Sequence, residues 1–222
     1  MTILEGATMV VDEISKSFRR ERSRQDDVLH DVTIEAAPGT LVLIEGDAGS
    51  GRSTLLRCLL GTYRVDRGSV VLRCDAGSVD LTTTDDRTLS WLRDRYFSWF
   101  DGHFFSPPHF PAWRALARSA DLDESTARKK LEAFGAGDLG DVPVGRLLAA
   151  EARVVALATT LSRTSSFYLL DEPLLGQGEM VRGAAMAAVE TVRSRGAAVL
   201  VSATPDSPWT ALATSIHQLN RK

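Results

Sequence analysis

A glycine-rich segment early in the chain has the residue types and spacing of a phosphate-binding loop. Residues 44–54 read IEGDAGSGRST, in which Gly46, Gly51 and Ser53 fit the pattern G-x-x-x-x-G-[K/R]-[S/T]. Glycines in such a loop let consecutive backbone N–H groups converge on phosphate oxygens, and the following helix adds positive partial charge at its N-terminus. The Ser53 hydroxyl would bind Mg²⁺. The candidate phosphate ligands are Gly46, Gly49, Ser50, Gly51, Arg52, Ser53 and Thr54.

Arg52 stands where this motif usually carries a lysine. A lysine ammonium is a compact charge that can bridge two phosphate groups from within the loop. The guanidinium is longer, planar and forked, so it cannot occupy the same point without displacing the phosphates or itself. The charge is kept while the geometry changes, and we therefore expect weakened or shifted binding rather than no binding.

A second candidate site is a pair of acids that follows a short apolar run. Residues 167–173 read FYLLDEP, which predicts a buried strand that ends at Asp171. Ligands gather at the carboxyl ends of strands in open α/β sheets. Asp171 is placed to hold Mg²⁺ through water, and Glu172 is the candidate catalytic residue that would polarise an attacking water.

The composition of the 222 residues is that of an ordinary globular protein, with 44% hydrophobic and 25% charged residues. A net charge of −3 and a pI near 5.8 argue against a nucleic-acid partner. The sequence has no apolar run of the roughly 18–20 residues that span a bilayer, and no signal-peptide pattern opens it. Cys58 and Cys74 are expected to be reduced thiols. We expect a cytoplasmic protein, with docking on a membrane partner left open.

The periodicity of apolar residues predicts strands that alternate with helices, and hence a single α/β domain over residues 1–222 with a parallel core sheet. A small β subdomain should precede the core, with a charged loop at Arg19–Asp27. A mostly helical lobe should be inserted from about Asp85 to Leu148. The predicted strands are Val10–Ile14, Asp27–Ala36, Thr40–Ile44, Gly68–Arg73, Ser78–Leu81, Phe167–Leu170 and Ala197–Val201. One predicted helix begins after Gly51. The other predicted helices cover Thr88–Arg95, Trp113–Ala120, Glu124–Phe134, Ala149–Leu161 and Val181–Arg195.

These motifs together resemble the ATP-binding-cassette (ABC) ATPases over nearly the whole chain. The segment Ile14–Phe18 is similar to the start of that family's nucleotide domain, LLDEP matches at Leu169–Pro173, and AAVLV matches its closing strand. The resemblance implies a P-loop NTPase fold of ABC type, with ATP and Mg²⁺ as cofactors and a second ABC-type subunit in a homodimer or heterodimer. It also implies that Phe18 stacks on adenine, whereas a core aromatic of the small β subdomain remains the alternative.

Several residues differ from the family's motifs. In the family, the residues at these positions complete the site of a neighbouring subunit or sense the terminal phosphate. The signature segment LSGGQ aligns with Leu147–Glu151, which replaces a serine hydroxyl by Leu148 and adds two methyl groups. The loop glutamine aligns with Gly102, although the adjacent Asp101 is a partial substitute. The switch histidine aligns with Thr204, and the aspartate expected after LLDEP aligns with Gly178. ATP binding with slow or absent hydrolysis is the expected result.

Within the family, the chain is similar to the PhnL-type accessory ATPases of carbon–phosphorus lyase systems, which handle phosphonates. The residues that carry this likeness are Gly68–Arg93, Ser194–Val199 and Glu151. It implies an accessory or regulatory partner of a carbon–phosphorus lyase core or a membrane permease. Two alternatives remain open, an active ATPase subunit of an ABC transporter and a nucleotide-free interaction scaffold. An aromatic cluster could form the lobe core or receive a partner; its members are Phe100, Phe104, Phe105, Phe110 and Trp113.

The substitution Arg52→Lys tests the unusual loop position. Lysine should tighten ATP binding, because it restores the compact charge that the motif normally places between two phosphates. The dissociation constant for a fluorescent ATP analogue measures the effect, and Arg22→Lys in the predicted charged loop is the control. An unchanged constant would mean that Arg52 already serves the phosphates or that the loop is not used.

Overall fold

The computed structural model describes residues 6–19, 25–74 and 77–220. It contains a four-stranded antiparallel sheet and a five-stranded parallel sheet, joined by helices. This confirms the predicted α/β architecture. Residues 20–24 of the predicted charged loop lie outside the described ranges, whereas Arg19 and Gln25–Asp27 belong to strands. Within these ranges, every helix falls short of the combination of length and apolar character that spanning a bilayer requires.

Strands and helices follow one another along the described chain. The strands are β1 (Thr8–Arg19), β2 (Gln25–Ala36), β3 (Leu41–Glu45), β4 (Arg67–Cys74), β5 (Gly77–Asp80), β6 (Phe97–Phe100), β7 (Phe167–Asp171), β8 (Ala198–Ala203) and β9 (Ser215–Gln218). The α-helices are α1 (Arg52–Leu59), α2 (Asp86–Tyr96), α3 (Ala112–Ala120), α4 (Glu124–Ala133), α5 (Ala149–Ser162) and α6 (Glu179–Ser194). Short 3₁₀ turns cover Gly137–Leu139, Val144–Arg146 and Pro208–Ala211.

The antiparallel sheet has the strand order β2-β1-β4-β5. Met9 and Val11 alternate with less buried residues, so one face of β1 is apolar and faces a core. The pairing register shifts after Val11, where Glu13 takes a φ of 46°, which is the signature of a β-bulge. Strand β1 then continues to Arg19, five residues beyond its predicted end at Ile14, and this extension brings Phe18 to the end of the sheet.

The parallel sheet has the order β6-β7-β8-β3-β9. All residues of β3 and β8 are buried, which explains their continuous apolar sequences, because helices or the second sheet cover both faces. Adjacent residues of β3 face opposite sides. Val42 and Ile44 belong to the core shared with the antiparallel sheet and α1, whereas Leu41 and Leu43 belong to the core formed with α3–α6. The carboxyl ends of β3, β7 and β8 meet at one edge of the sheet.

The helical lobe is smaller than predicted, and its expected start near Asp85 is too early. Helix α2 contributes Leu89 and Leu92 to the core that lies between the two sheets and includes α1. Strand β6 pairs with β7 in the parallel sheet. The lobe therefore consists of α3 and α4, which pack on each other and on α5. Strand β6 reads FSWF and is followed by more aromatic residues, so apolar content alone did not separate a four-residue edge strand from the lobe core. Strand β9 was also not predicted.

The aromatic cluster divides between the two roles considered for it. Phe100 and Phe110 are buried. Phe104 and Trp113 are partly buried and pack against the core formed with α3–α6. Phe105, in contrast, is 90% exposed. Four members therefore have a packing role, and one projects from the surface.

Candidate functional site

The glycine-rich loop connects the end of β3 to the start of α1, as the motif predicts. Gly51 caps α1 with a φ of 97°, a left-handed conformation that favours glycine. A Cβ there would lie 2.8 Å from Val28 Cγ1 and 2.9 Å from the Val28 carbonyl oxygen, so β2 leaves no room for a side chain. The first turn of α1 has neither an acidic residue nor a side-chain cap. Its N-terminal end therefore keeps N–H donors and positive partial charge for an anion.

An open cleft of about 580 Å³ lies in front of the loop. Two of its walls come from the places that the sequence indicated, the start of α1 and the end of β7. The predicted site residues that line it are Phe18, Gly49, Gly51, Arg52, Ser53, Thr54, Asp171 and Glu172. Arg153 of α5 and Leu175 line the same cleft and were not predicted, and Asp101 lies there as well.

Gly46 and Ser50 are the two predicted loop residues that do not line the cleft. A Cβ at Gly46 would come within 2.4 Å of the Ser50 Oγ and 2.5 Å of the Leu219 carbonyl oxygen, so the chain is tightly packed behind the loop. Ser50 is buried, and its hydroxyl has no hydrogen-bond partner within the described ranges. In this structure the geometry of both residues supports the loop conformation, and a direct role in ligand binding stays a prediction.

Phe18 lies on the rim of the cleft rather than in a core. Its side chain is 37% exposed, which argues against the alternative of a core aromatic. The ring contacts Tyr63 edge to face at 5.6 Å between centroids, and the Lys16 Nζ lies 5.3 Å from the ring centroid. These contacts hold the ring in place while part of its surface remains open to a ligand, such as the flat face of a base.

The two charged residues at the centre of the site bind each other. The Arg52 Nη2 donates to the Glu172 Oε1 and forms an ion pair across the cleft. Arg52 is only 6% exposed, and its Nη1 has no partner among the described residues. The sequence assigned Arg52 to phosphate and Glu172 to water. In this structure each side chain is occupied by the other, a contact that the sequence reading did not anticipate.

The backbone of Glu172 is also constrained. Its φ of 46° is left-handed, a conformation that costs a residue with a side chain about 1–3 kcal/mol. Hydrogen bonds on both sides hold it there. The Glu172 N–H donates to the Ser202 hydroxyl at 2.9 Å, and the Glu172 carbonyl oxygen accepts from the Arg153 Nη2 at 2.6 Å. Strand β8 and helix α5 thus fix the orientation of the candidate catalytic acid.

The residues predicted to hold Mg²⁺ have the appropriate donor atoms. Ser53 and Asp171 line the same cleft and offer hydroxyl and carboxylate oxygens, the hard ligands that Mg²⁺ prefers. The Asp171 Oδ1 accepts a hydrogen bond of 2.6 Å from the Ser202 hydroxyl, and no hydrogen bond engages its other oxygen within the described ranges. Within those ranges, no group of three or more His, Cys, Asp or Glu side chains is arranged to hold a metal ion by itself. Such a site suits a cation that takes most of its ligands from phosphate and water.

The residues aligned with neighbour-directed motifs lie outside this cleft and face solvent. Leu148 is 69% exposed immediately before α5, where its N–H donates to the Glu151 Oε2 at 2.8 Å. Ala149, Ala150, Thr204 and Gly178 are exposed as well. Their surfaces carry methyl groups and a threonine hydroxyl in place of the expected serine, glycine, histidine and aspartate.

Comparison with known proteins identifies the family of this chain. The family described as ABC transporter matches residues 29–175 of the 222. This match includes the phosphate loop and the two acids at the end of β7, Asp171 and Glu172. The chain belongs to the ABC transporter family, which confirms the resemblance inferred from its motifs.

Relatives with several transport functions share this cassette. The zinc import ATP-binding protein ZnuC of Cereibacter sphaeroides is 32% identical over 183 residues, which cover 81% of this chain and 68% of that protein. The phosphonates import ATP-binding protein PhnC 2 of Cupriavidus necator is 29% identical over 204 residues, covering 85% and 70%. The cytochrome c biogenesis ATP-binding export protein CcmA of Maricaulis maris is 30% identical over 84% of each chain. Family membership therefore leaves the transported compound open.

Solved structures agree on the fold. The dimeric bacterial ABC transporter cassette MJ0796 superposes with a TM-score of 0.79 at 19% identity, covering 96% of this chain and 94% of that one. The same cassette in a post-hydrolysis state with ADP and Pi gives 0.79 at 18% identity, covering 95% and 94%. At this level of identity the likeness establishes the ABC-type cassette fold.

The ion pair makes a specific prediction for Glu172→Gln. Without nucleotide, the variant should lose about 1–2 kcal/mol of unfolding free energy, because Arg52 stays buried without a counter-charge. The loss is smaller than for a fully buried pair, since the Glu172 side chain is 29% exposed. Mg-ATP should then bind about tenfold more tightly, because Arg52 is free and one negative charge has left the cleft.

Thermal unfolding and titration with a fluorescent ATP analogue measure the two effects. Glu179→Gln is the matched control, since Glu179 is an exposed acid at the start of α6. Equal stability and equal affinity in Glu172→Gln and the unaltered chain would show that the ion pair has no energetic role.

Proposed function

We propose that this protein is an ATP-binding subunit of ABC type that binds ATP and Mg²⁺ in the cleft and hydrolyses ATP slowly on its own. It would act as an accessory or regulatory partner of a larger assembly. The observation that carries the proposal is the Arg52–Glu172 ion pair, because it leaves a phosphate-binding loop intact while it engages the acid expected to activate water.

Nucleotide binding would use groups that surround the cleft. Phe18 would stack on the base, and the N–H groups at the start of α1 would donate to the phosphates. Ser53 and Asp171 would hold Mg²⁺. A cation held there would supply positive charge that offsets the charge of the phosphates. Arg52 would reach the phosphates only after its bond to Glu172 breaks, so the ion pair reduces the net affinity.

Slow hydrolysis follows from the positions of charge and hydrogen-bond donors. Phosphoryl transfer depends on positioning and on stabilising charge, and the loss of one well-placed donor costs about 10²–10³-fold in rate. Glu172 can accept a proton from water only with an oxygen that Arg52 does not engage. The exposed surface around Leu148 and Thr204 offers a partner neither the serine hydroxyl nor the imidazole that the family pattern would supply.

The partner we propose is a second ABC-type subunit together with a carbon–phosphorus lyase core or a membrane permease, as the PhnL-like segments indicate. Two phosphonates import ATP-binding proteins are among the relatives, at 29% identity each, which supports a role near phosphonate metabolism or transport. ZnuC is 32% identical, so the argument for phosphonates comes from the PhnL-like segments rather than from the degree of identity. The cytoplasm is the compartment that fits such a role.

An active transporter ATPase is the second candidate function. The observation that favours it is the retention of Asp171 and Glu172 at the end of β7, held by Ser202 and Arg153. A partner with a complete signature segment could then restore one of the two sites of a heterodimer. The nucleotide-free scaffold has less support, because an open cleft lies at the start of α1 with no acidic residue in its first turn.

The binding half of the proposal is tested with Ser53→Ala and Asp171→Asn. Each variant should weaken Mg-ATP binding about tenfold or more, because each removes a cation ligand, and should change binding in the absence of Mg²⁺ much less. Titration with a fluorescent ATP analogue, with and without Mg²⁺, measures this. Asp138→Asn, an exposed acid in the lobe, is the control. If the unaltered chain binds no nucleotide, the scaffold function is supported instead.

The catalytic half is tested by restoring the missing groups. The turnover rate of the lone chain should be lower, by a factor of about 10³ or more, than the 1–10³ s⁻¹ typical of enzymes. A variant with Leu148→Ser, Ala149→Gly, Ala150→Gly and Thr204→His should raise the rate about tenfold or more. Release of inorganic phosphate from purified protein is the measurement. Rapid turnover by the unaltered chain would contradict the proposal and favour the active ATPase.

A further inference from the structure

We propose that Arg153 is a second phosphate-binding cation of the cleft, and that it contacts the terminal phosphate of a nucleoside triphosphate. This inference rests on the proposed function, since it assigns a ligand-binding role within the same cleft. Arg153 belongs to α5, the helix that begins at the exposed segment after Leu148. Its side chain lines the cleft together with Asp171 and Glu172, on the side where β6 and β7 end.

The chain makes room for this guanidinium at Gly102. A Cβ at Gly102 would lie 1.9 Å from the Arg153 Nη1 and 3.0 Å from its Cζ, so even an alanine would collide with it. Gly102 also has a φ of 84°, which disfavours a side chain there. The guanidinium therefore rests directly against the backbone that follows β6, in space that a side chain at residue 102 would otherwise fill.

Three contacts hold the guanidinium at this place. The Nη2 donates to the Glu172 carbonyl oxygen at 2.6 Å. The Cζ lies 5.1 Å from the centroid of the Phe100 ring, which is within the range of a cation–π interaction. The backbone at Gly102 packs against the Nη1. The group is thus positioned before any ligand arrives, which lowers the entropy cost of using it in binding.

Arg153 forms no ion pair with another described residue. In the described ranges no carboxylate oxygen forms an ion pair with it, and its buried Nε has no hydrogen-bond partner. Arg52, the other arginine that lines the cleft, is paired with Glu172. A guanidinium has five N–H donors, and hydrogen bonding to one carbonyl leaves most of them available. An incoming anion would therefore find its unpaired positive charge at Arg153.

The geometry favours the last phosphate of the ligand. Asp171, Glu172 and Arg153 line the same cleft as Phe18 and the start of α1. If the base lies at Phe18 and the inner phosphates lie at the N-terminus of α1, we expect an additional phosphate to approach these three residues. The two acids among them would repel it, and Arg153 offsets their charge. A diphosphate would be too short to gain this contact. Arg153 would thereby set a preference for triphosphate over diphosphate, and would connect the bound nucleotide with α5.

The experiment compares ATP and ADP affinities of the full chain with those of Arg153→Gln and Arg153→Lys, by displacement of a fluorescent ATP analogue in the presence of Mg²⁺. Arg153→Gln should weaken ATP binding about tenfold and ADP binding by less than about twofold, because a charge-assisted hydrogen bond is lost only with ATP. Arg153→Lys keeps the charge without the planar fork and should lie between. Arg146→Gln, an exposed arginine just before α5, is the matched control.

Two results with folded Arg153→Gln would overturn the inference. Equal weakening of ATP and ADP would assign Arg153 a structural role through Glu172, and unchanged affinities would remove it from the binding site. If Arg153→Gln does not fold, Arg153→Lys decides alone, with a drop of about threefold in the ATP-to-ADP preference expected and an unchanged preference opposing it. If the unaltered chain binds neither nucleotide, the proposed function fails and this inference with it. If Asp171→Asn loses ATP binding and Arg153→Gln does not, only this inference fails.

Discussion

The ion pair between Arg52 and Glu172 joins the two halves of the site. Arg52 is the first residue of α1, and Glu172 follows β7, so the bond connects the phosphate loop to the edge where the acids lie. A lysine at residue 52 would be shorter and would lack the fork that reaches a carboxylate across the cleft. The arginine at residue 52 departs from the motif, and it therefore also determines the hydrogen bonding of Glu172, 120 positions later in the sequence.

The sequence predicted most of the fold because its signals are local. Continuous apolar runs marked β3, β7 and β8, which are buried on both faces, and the glycine pattern marked the turn into α1. The signals failed where burial was incomplete or the element was short. Strand β9 alternates between half-buried and exposed residues over only four positions, and β6 has the same aromatic character as the lobe segment beside it. Neither pattern differs enough from its surroundings to indicate a strand.

The sequence indicated most of the residues that line the cleft, but not the contacts between them. Motif spacing was enough to bring Phe18, the loop and both acids to one cleft, since each follows from its own segment. The bond from Arg52 to Glu172 depends on distances between elements that only tertiary packing sets. Arg153 was missed for the same reason. It is one of two charged residues in a helix that is otherwise mostly apolar. The signal that could have indicated it is Gly102, 51 positions earlier, which leaves space for the guanidinium.

Ser202 of β8 links the two acids at the end of β7. Its hydroxyl donates to the Asp171 carboxylate and accepts from the Glu172 N–H, so one atom on β8 is bonded to the last residue of β7 and to the residue after it. These two hydrogen bonds couple the positions of the two acids. A displacement of the segment after β8, where Thr204 is exposed, would therefore shift Asp171 and Glu172 together.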